Sequence, residues 1–145
     1  MHELLTAAEM AEADRRTIAG GTPGIDLMEA AGRGVAAATA ALVPEGTVLV
    51  VAGPGNNGGD GFVAGRLLAA AGRPVGVLLL GDPARLRGDA ATAFGRWTGP
   101  TLPVTTPLPD AAVIIDALFG AGLNRAIEGA AAGLVAAINL SLIHI

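Results

Sequence analysis

The chain opens with segments patterned at helical spacing and then alternates short apolar runs with glycine-rich breaks. Thr6-Ala7-Ala8-Glu9 is a capping box, in which the threonine hydroxyl accepts from an early helix N–H and Glu9 reaches back to the cap. It predicts a helix that stops at Gly20-Gly21. Thr22-Pro23-Gly24 reads as a turn. The stretch Asp26 to Glu29 repeats the capping logic, and Met28, Ala31, Val35, Ala38 and Leu42 then recur on one helical face. This predicts a second helix ending before Pro44. Small residues at Ala30, Ala31, Gly32 and Gly34 suit close approach of another backbone, either in the core or at a subunit interface.

From Val48 the period changes. Val48 to Ala52 is a continuous apolar run bounded by a turn signal, the pattern of a parallel strand buried on both faces. Gly53 to Gly61 follows as a nine-residue loop with five glycines, two asparagines and one aspartate. Phe62 to Ala71 is the expected crossover helix, closed by Gly72, with Asp60 as its N-cap. Val75 to Leu80 is the next buried strand. Pro83 to Trp97 reads as helical, with proline in the first turn. Thr98 to Pro109 carries four prolines and is expected to be extended loop. Val113 to Asp116 is a third strand, and Ile127 to Ile138 a last helix. Strands alternating with helices predict an α/β domain with a mainly parallel sheet.

Composition narrows the chemistry more by absence than by presence. The chain has 145 residues and a net charge of −4, with acids and arginines interspersed. It lacks the clustered basic face a nucleic-acid surface needs. No apolar run approaches the roughly 18 residues of a membrane span, and no signal peptide is legible at the N-terminus. Cysteine, lysine and tyrosine are absent, and serine and histidine occur only as Ser141, His2 and His144. Thiolate metal sites, Schiff bases, Walker-type loops and a Ser-His-Asp triad are therefore excluded from the body of the chain. Asp, Glu, Asn, Thr, Arg and backbone groups must carry any chemistry.

In open α/β sheets ligands sit beyond the carboxyl ends of the strands. Two glycine-bearing loops belong there, Gly53 to Gly61 and Asp116 to Arg125. If their strands are neighbours, Asn56, Asn57, Asp60 and Asp116 converge on one cleft. Gly53-Pro54-Gly55-Asn56-Asn57-Gly58 matches GxGxxG, and Asp82 lies after the next strand, roughly 20 residues on from these glycines, where a ribose-binding acid would sit. Against a classical dinucleotide cofactor stands the loop length: Gly58-Gly59-Asp60-Gly61 separates the fingerprint from the expected helix, and a carboxylate at a helix mouth repels phosphate. Asparagines offer both donors and acceptors, and glycines admit a ligand close to the backbone. Asn57, Asp116 and loop carbonyls could hold a hard cation, or Asp116 could simply cap its loop.

The motifs GPGNNGGDGFVAGRLL and VIIDALFGAGLNR, preceded by LLTAAEMAEADRRTIAGGTPGIDLMEAAGRGVA, resemble the YjeF N-terminal family of NAD(P)H-hydrate epimerases over residues 4–139. The resemblance implies a Rossmann-like, three-layer αβα fold preceded by two N-terminal helices. The implied activity is cofactor repair: interconversion of the R and S forms of NADH or NADPH hydrated at C6 of the nicotinamide ring. By motif, Asn56, Asn57, Gly58, Gly59 and Asp60 would contact the hydrate. Gly120, Ala121, Gly122, Leu123, Asn124, Arg125 and Ala126 would form a second substrate loop, with Arg125 an anion contact. Asn57 and Asp116 would ligate potassium. The family further implies a homodimer, a cytoplasmic location, and a functional partner in the NAD(P)H-hydrate dehydratase, which is fused to this domain in many bacteria.

One departure matters. The family's acid/base aspartate lies in a segment reading roughly Asp-Ile-Pro-Ser-Gly-Leu, which these residues do not contain. The resemblance places it downstream of Asn139, so no catalytic residue is assigned within the chain. Leu140 to Ile145 also breaks the Ala/Gly/Arg composition and matches what a common transposon-type sequencing adapter encodes. Native sequence is therefore expected to stop near Asn139. On that reading residues 1–139 are a truncated epimerase domain with an incomplete sheet, 140–145 a non-native tail, and the fragment itself inactive. Two other readings stand beside the epimerase: a non-catalytic YjeF-type binding or scaffold module, and a classical NAD-dependent dehydrogenase.

Overall fold

Val48–Ala52 (β1) is buried at every position and lies in the middle of the molecule. Its side chains alternate: Val48, Val50 and Ala52 join one apolar cluster, Leu49 and Val51 the other. That period-2 split between two dry faces is why the run carries no polar residue. The computed structural model describes residues 4–104 and 107–141.

Two helices precede β1. Ala7–Ala19 (α1) starts from the expected capping box at Thr6 and Glu9 and ends at Gly20. Gly24–Leu42 (α2) begins two residues before Asp26, with Pro23 at the cap position, so Asp26 is a first-turn residue rather than the cap. The buried stripe of α2 is Met28, Gly32, Ala36 and Thr39. Val35 and Leu42, placed in the core by periodicity, are 36% and 81% exposed. The stripe is turned because α2 packs through Gly32, where an added Cβ would fall 2.9 Å from the Asp60 carbonyl oxygen and into Val63. A small residue sets the contact line here, and a pattern of large ones misses it. Of the small-residue stretch, Gly32 serves close packing within the core, while Ala31 and Gly34 are exposed.

After β1 the chain enters Asn56–Ala70 (α3), then Val75–Leu79 (β2), a short 3-10 turn at Pro83–Arg85, and Gly88–Arg96 (α4). The single helix expected over Pro83 to Trp97 is thus split at Leu86-Arg87. Thr101–Pro103 (β3) occupies part of the expected proline-rich loop and pairs parallel with β2. Residues 105 and 106 of that loop lie outside the described residues. Val113–Ala117 (β4) and Gly129–Ser141 (α5) complete the chain.

The expected boundary at Asn139 leaves no mark in the backbone. Asn139 is an exposed residue inside α5, not the end of an element, and the helix runs through it. Leu140 and Ser141 of the suspected tail continue α5, because one helix can bridge a change of composition wherever no glycine or proline interrupts it. Residues 142–145 lie outside the described residues.

The four strands form one parallel sheet in the order β3-β2-β1-β4. Met28 and Ala36 of α2, Phe62 to Leu68 of α3 and Ala93 of α4 cover one face. Leu134 and Ile138 of α5 cover the other. This is the three-layer αβα arrangement. The order of strands reverses direction between β1 and β4, and a crevice opens at such a switch point beyond the carboxyl ends of the strands. Glu29 of α2 ties the helical layer together, receiving Arg66 of α3 at 2.6 Å and Arg96 of α4 at 2.9 Å.

Candidate functional site

The loop after β1 is far shorter than the sequence suggests. α3 begins at Asn56, with Gly55 at the cap position, and its first hydrogen bond runs from Gly59 N–H to the Gly55 carbonyl at 3.1 Å. Asn56, Asn57, Gly58, Gly59 and Asp60 are therefore the first turns of a helix, and Asp60 is not its N-cap. Glycine is a poor helix former, which makes an apolar pattern starting at Phe62 misleading. Tertiary contact overrides propensity: a Cβ on Gly58 would overlap the Gly53 carbonyl, and one on Gly59 would reach 2.6 Å from the Met28 sulfur. These two glycines are buried for packing. They hold the helix start tightly against β1 and α2.

The consequence is electrostatic. No side chain caps the N-terminus of α3, so its first N–H groups and the positive end of the helix dipole face the crevice. The helix starts inside the GxGxxG fingerprint, and the objection based on loop length falls.

A cavity of about 560 Å³ occupies the crevice. Asn56, Asn57 and Asp60 line it from α3, and Pro54 and Gly55 from the turn before. Gly120, Ala121, Gly122, Leu123, Asn124 and Arg125 line the opposite wall, following Leu118 and Phe119. The two walls meet where Asn57 lies against Gly120: a Cβ there would sit 3.4 Å from the amide oxygen of Asn57. Of the sequence-predicted residues, Gly58 and Gly59 lie behind the lining. Ala126 lines a neighbouring cavity of about 240 Å³, shared with Arg125 and Glu128. Asn139, beyond which the acid/base aspartate is expected, lines neither cavity.

Asp116 is exposed in β4, opposite Val51, and follows the register of the side chains directed toward α5. Its Oδ1 accepts from the Leu118 N–H at 3.0 Å, so it does cap its own loop. It does not line the large cavity. Among the described residues no three His, Cys, Asp or Glu side chains gather as a metal-binding group. Asn57 and Asp116 offer amide and carboxylate oxygens alone, a donor set suited to a hard cation and unsuited to a soft one.

The sequence reading missed Asp14. It reaches the cavity from α1, a helix with no buried residue, and it stands with Asp60 on the same lining. Burial pushes the Asp60 carboxyl up to about 6, and the charge of Asp14 adds to the rise. A second carboxylate on the same lining disfavours the ionised form of Asp60. The fold alone brings α1 over α3, and no spacing in the sequence links positions 14 and 60.

Relatives share this architecture. The model of the YjeF-related protein N-terminus matches residues 24–143. The chain belongs to the YjeF N-terminal family. It is 39% identical to an NAD(P)H-hydrate epimerase of Rhodobacter capsulatus, over 89% of this chain and 67% of that protein. It is 44% identical to the NAD(P)H-hydrate epimerase of Bordetella pertussis, over 80% of this chain and 52% of that protein. The crystal structure of the yeast protein ynu0 (YNL200c) superposes with a TM-score of 0.86 at 25% identity, covering 99% of this chain and 68% of that one. This YjeF N-terminal chain thus spans 52% to 68% of the length of these three proteins. The family match and the structural match both include the two walls of the crevice between β1 and β4.

Proposed function

We propose that this chain is the dinucleotide-binding part of an NAD(P)H-hydrate epimerase, an isomerase of cofactor repair that interconverts the R and S forms hydrated at C6 of the nicotinamide ring. The observation that carries the reading is the cavity at the switch point. Its two walls are the Asn56–Asp60 turn and the 120–125 loop, the same segments that carry the family resemblance, and relatives at 39% and 44% identity bear the epimerase name.

The residues suit the task. The uncapped first turn of α3 and Arg125 supply positive potential for a diphosphate. Asn56 and Asn57 can donate to and accept from ribose and carboxamide groups. Asp60, raised to about 6 yet mostly ionised at neutral pH, can accept a hydrogen bond from a substrate donor. Potassium is held by Asn57 and Asp116 in this reading, and when bound it would offset the carboxylate charge beside the substrate loop. The domain works in the cytoplasm as a homodimer, beside or fused to a hydrate dehydratase.

Epimerisation needs an acid/base group at the ring, and the Asp-Ile-Pro-Ser-Gly-Leu segment, expected downstream of Asn139, is not among these 145 residues. The purified chain is therefore expected to bind NADPH hydrate without accelerating the exchange of R and S forms. Isothermal titration with the hydrate, and chiral chromatography of an R/S mixture incubated with the chain, test the two parts separately. Absence of binding sinks the assignment; faster exchange shows that the acid/base group lies within these residues. The helix start inside GxGxxG favours one runner-up, a classical dinucleotide cofactor site, which predicts tight NAD binding with hydride transfer to a second substrate.

A further inference from the structure

α1 is joined to the rest of the molecule differently from the other helices. It buries no side chain, and none of its residues belongs to either apolar cluster. Its stabilising contacts are its own: the capping box of Thr6 and Glu9, and the pairs from Arg15 and Arg16 to Glu12. Among the described residues no hydrogen bond or ion pair ties it to α2, α3 or α4. The helix is complete in itself and weakly held by the body.

The face it turns inward is nevertheless built for contact. Met10, Asp14 and Ile18 lie four residues apart on one side of α1 and line a further cavity, of about 390 Å³. Leu27, Met28 and Ala31 of α2 supply its apolar wall. Met10 and Ile18 remain 49% and 47% exposed across this gap. Helices packed on one another leave no void of that size between facing side chains. Near the turn into α2 the two do approach, since a Cβ on Gly24 would lie 3.7 Å from the Ile18 Cδ1. That turn holds Gly20 and Gly21. Gly21 has a φ of 103° and open space around it, so the backbone there is free of side-chain sterics and of packing.

Charge accounts for the gap. Asp14 of α1 and Asp60 of α3 line both this cavity and the large one. The other charged lining groups are Asp89 of α4, in the smaller cavity, and Arg125, in the large one; the α2 lining residues are uncharged. Around the smaller cavity the charges are therefore all negative. Bringing α1 inward buries Met10 and Ile18, which is favourable, and pushes Asp14 toward two carboxylates, which is not.

We infer that α1 is a flap over one end of the cleft: it hinges at Gly20-Gly21, closes by seating Met10 and Ile18 on Leu27, Met28 and Ala31, and is held off by Asp14 facing Asp60. The motion belongs to the fold and stands whichever ligand the cleft takes. Burial pushes the Asp60 carboxyl up to about 6, so the repulsion is weak below that pH and full above it. Closing is therefore favoured as pH falls.

The chain has no cysteine, so two spin labels can be placed at chosen positions. Ala8→Cys on α1 lies roughly 18 Å from the hinge at 1.5 Å per residue, and Ala38→Cys lies on α2; both positions are exposed and outside the lining. Double electron–electron resonance measures the distance between them in the purified chain, without ligand, at pH 5 and pH 7.5. Two populations are expected, the shorter being closed, with the ratio of closed to open about threefold higher at pH 5, the size of one pair of like surface charges. Asp14→Asn is expected to give the pH 5 ratio at both values. Glu12→Gln removes a carboxylate of the same helix that does not line the cavity, and is expected to keep the pH response. One unchanging distance at both pH values overturns the flap. A pH response that survives Asp14→Asn, or that is lost equally in Glu12→Gln, overturns Asp14 as the group that holds it open. The hydrate titration, which tests the epimerase reading, is independent of these outcomes.

Discussion

Asp60 illustrates how a single side chain can pull stability and function in opposite directions. Its carboxyl is raised to about 6 by burial and then by Asp14, whereas an aspartate in the unfolded chain titrates near 3.9. Between about pH 4 and pH 6 the folded state keeps a proton that the unfolded state has released. Stability therefore falls as pH rises through that window and levels off above it. The group is partly open to solvent, so screening reduces the effect to on the order of 1 kcal/mol. Asp60→Asn is expected to stabilise the chain by about that amount at pH 7.5 and to leave it unchanged at pH 4, read by urea unfolding at both values. An equal gain at both would show that Asp60 is not held in its proton-binding state by the fold. Asp60 was legible in the sequence as a polar residue at a helix start, but its partner was not, because a charge arriving from α1 leaves no local trace.

Elements in this fold are held to very different degrees. α3 is clamped: Gly58 and Gly59 abut Gly53 and Met28, and Arg66 reaches Glu29, which also receives Arg96. α1 carries its ion pairs on its own surface, from Arg15 and Arg16 to Glu12. The two kinds of carboxylate differ in consequence. Glu29 is 17% exposed, and the Arg66 Nε beside it is buried without a hydrogen-bond partner among the described residues. Removing its charge leaves two guanidinium groups facing each other across three helices. Glu29→Gln is expected to lower stability by about 1–2 kcal/mol, and Glu12→Gln to leave it unchanged within error, since exposed pairs contribute little. Urea midpoints of the two variants check this, and a Glu12 effect as large as that of Glu29 would contradict it. Element starts and ends were legible wherever a side chain made them: Thr6 and Glu9 cap α1 as their spacing says. They were not legible where contact between distant segments made them. Glycines at 58, 59 and 61 resemble a loop until Gly53, Met28 and Ala117 are set against them, and then they are the reason the helix can start so close to the strand.

For the molecule as a whole, the alternation of elements gave the α/β class, but the strand order came from the structure. β4 returns beside β1, on the opposite side from β2, and that placement creates the crevice. It brings the loop after β4 against the start of α3, where a Cβ on Gly120 would contact Asn57, although Asp116 itself turns toward its own loop. If potassium bridges these two segments as proposed, it joins the halves of the cleft, and the folded chain alone presents both ligands. Binding to the folded state adds stability by mass action. For a dissociation constant of about 10 mM, 100 mM potassium would contribute about 1.4 kcal/mol. A melting temperature higher by a few degrees is therefore expected in potassium chloride than in tetramethylammonium chloride at equal ionic strength, with the difference lost in Asp116→Ala and reduced in Asn57→Ala. Equal ionic strength matters because carboxylates here are also screened by salt in general. Equal melting temperatures in the two salts would remove potassium from the site and leave Asp116 the loop-capping role its hydrogen bond to Leu118 already shows. A potassium effect that survives Asp116→Ala would place the ion elsewhere on the chain.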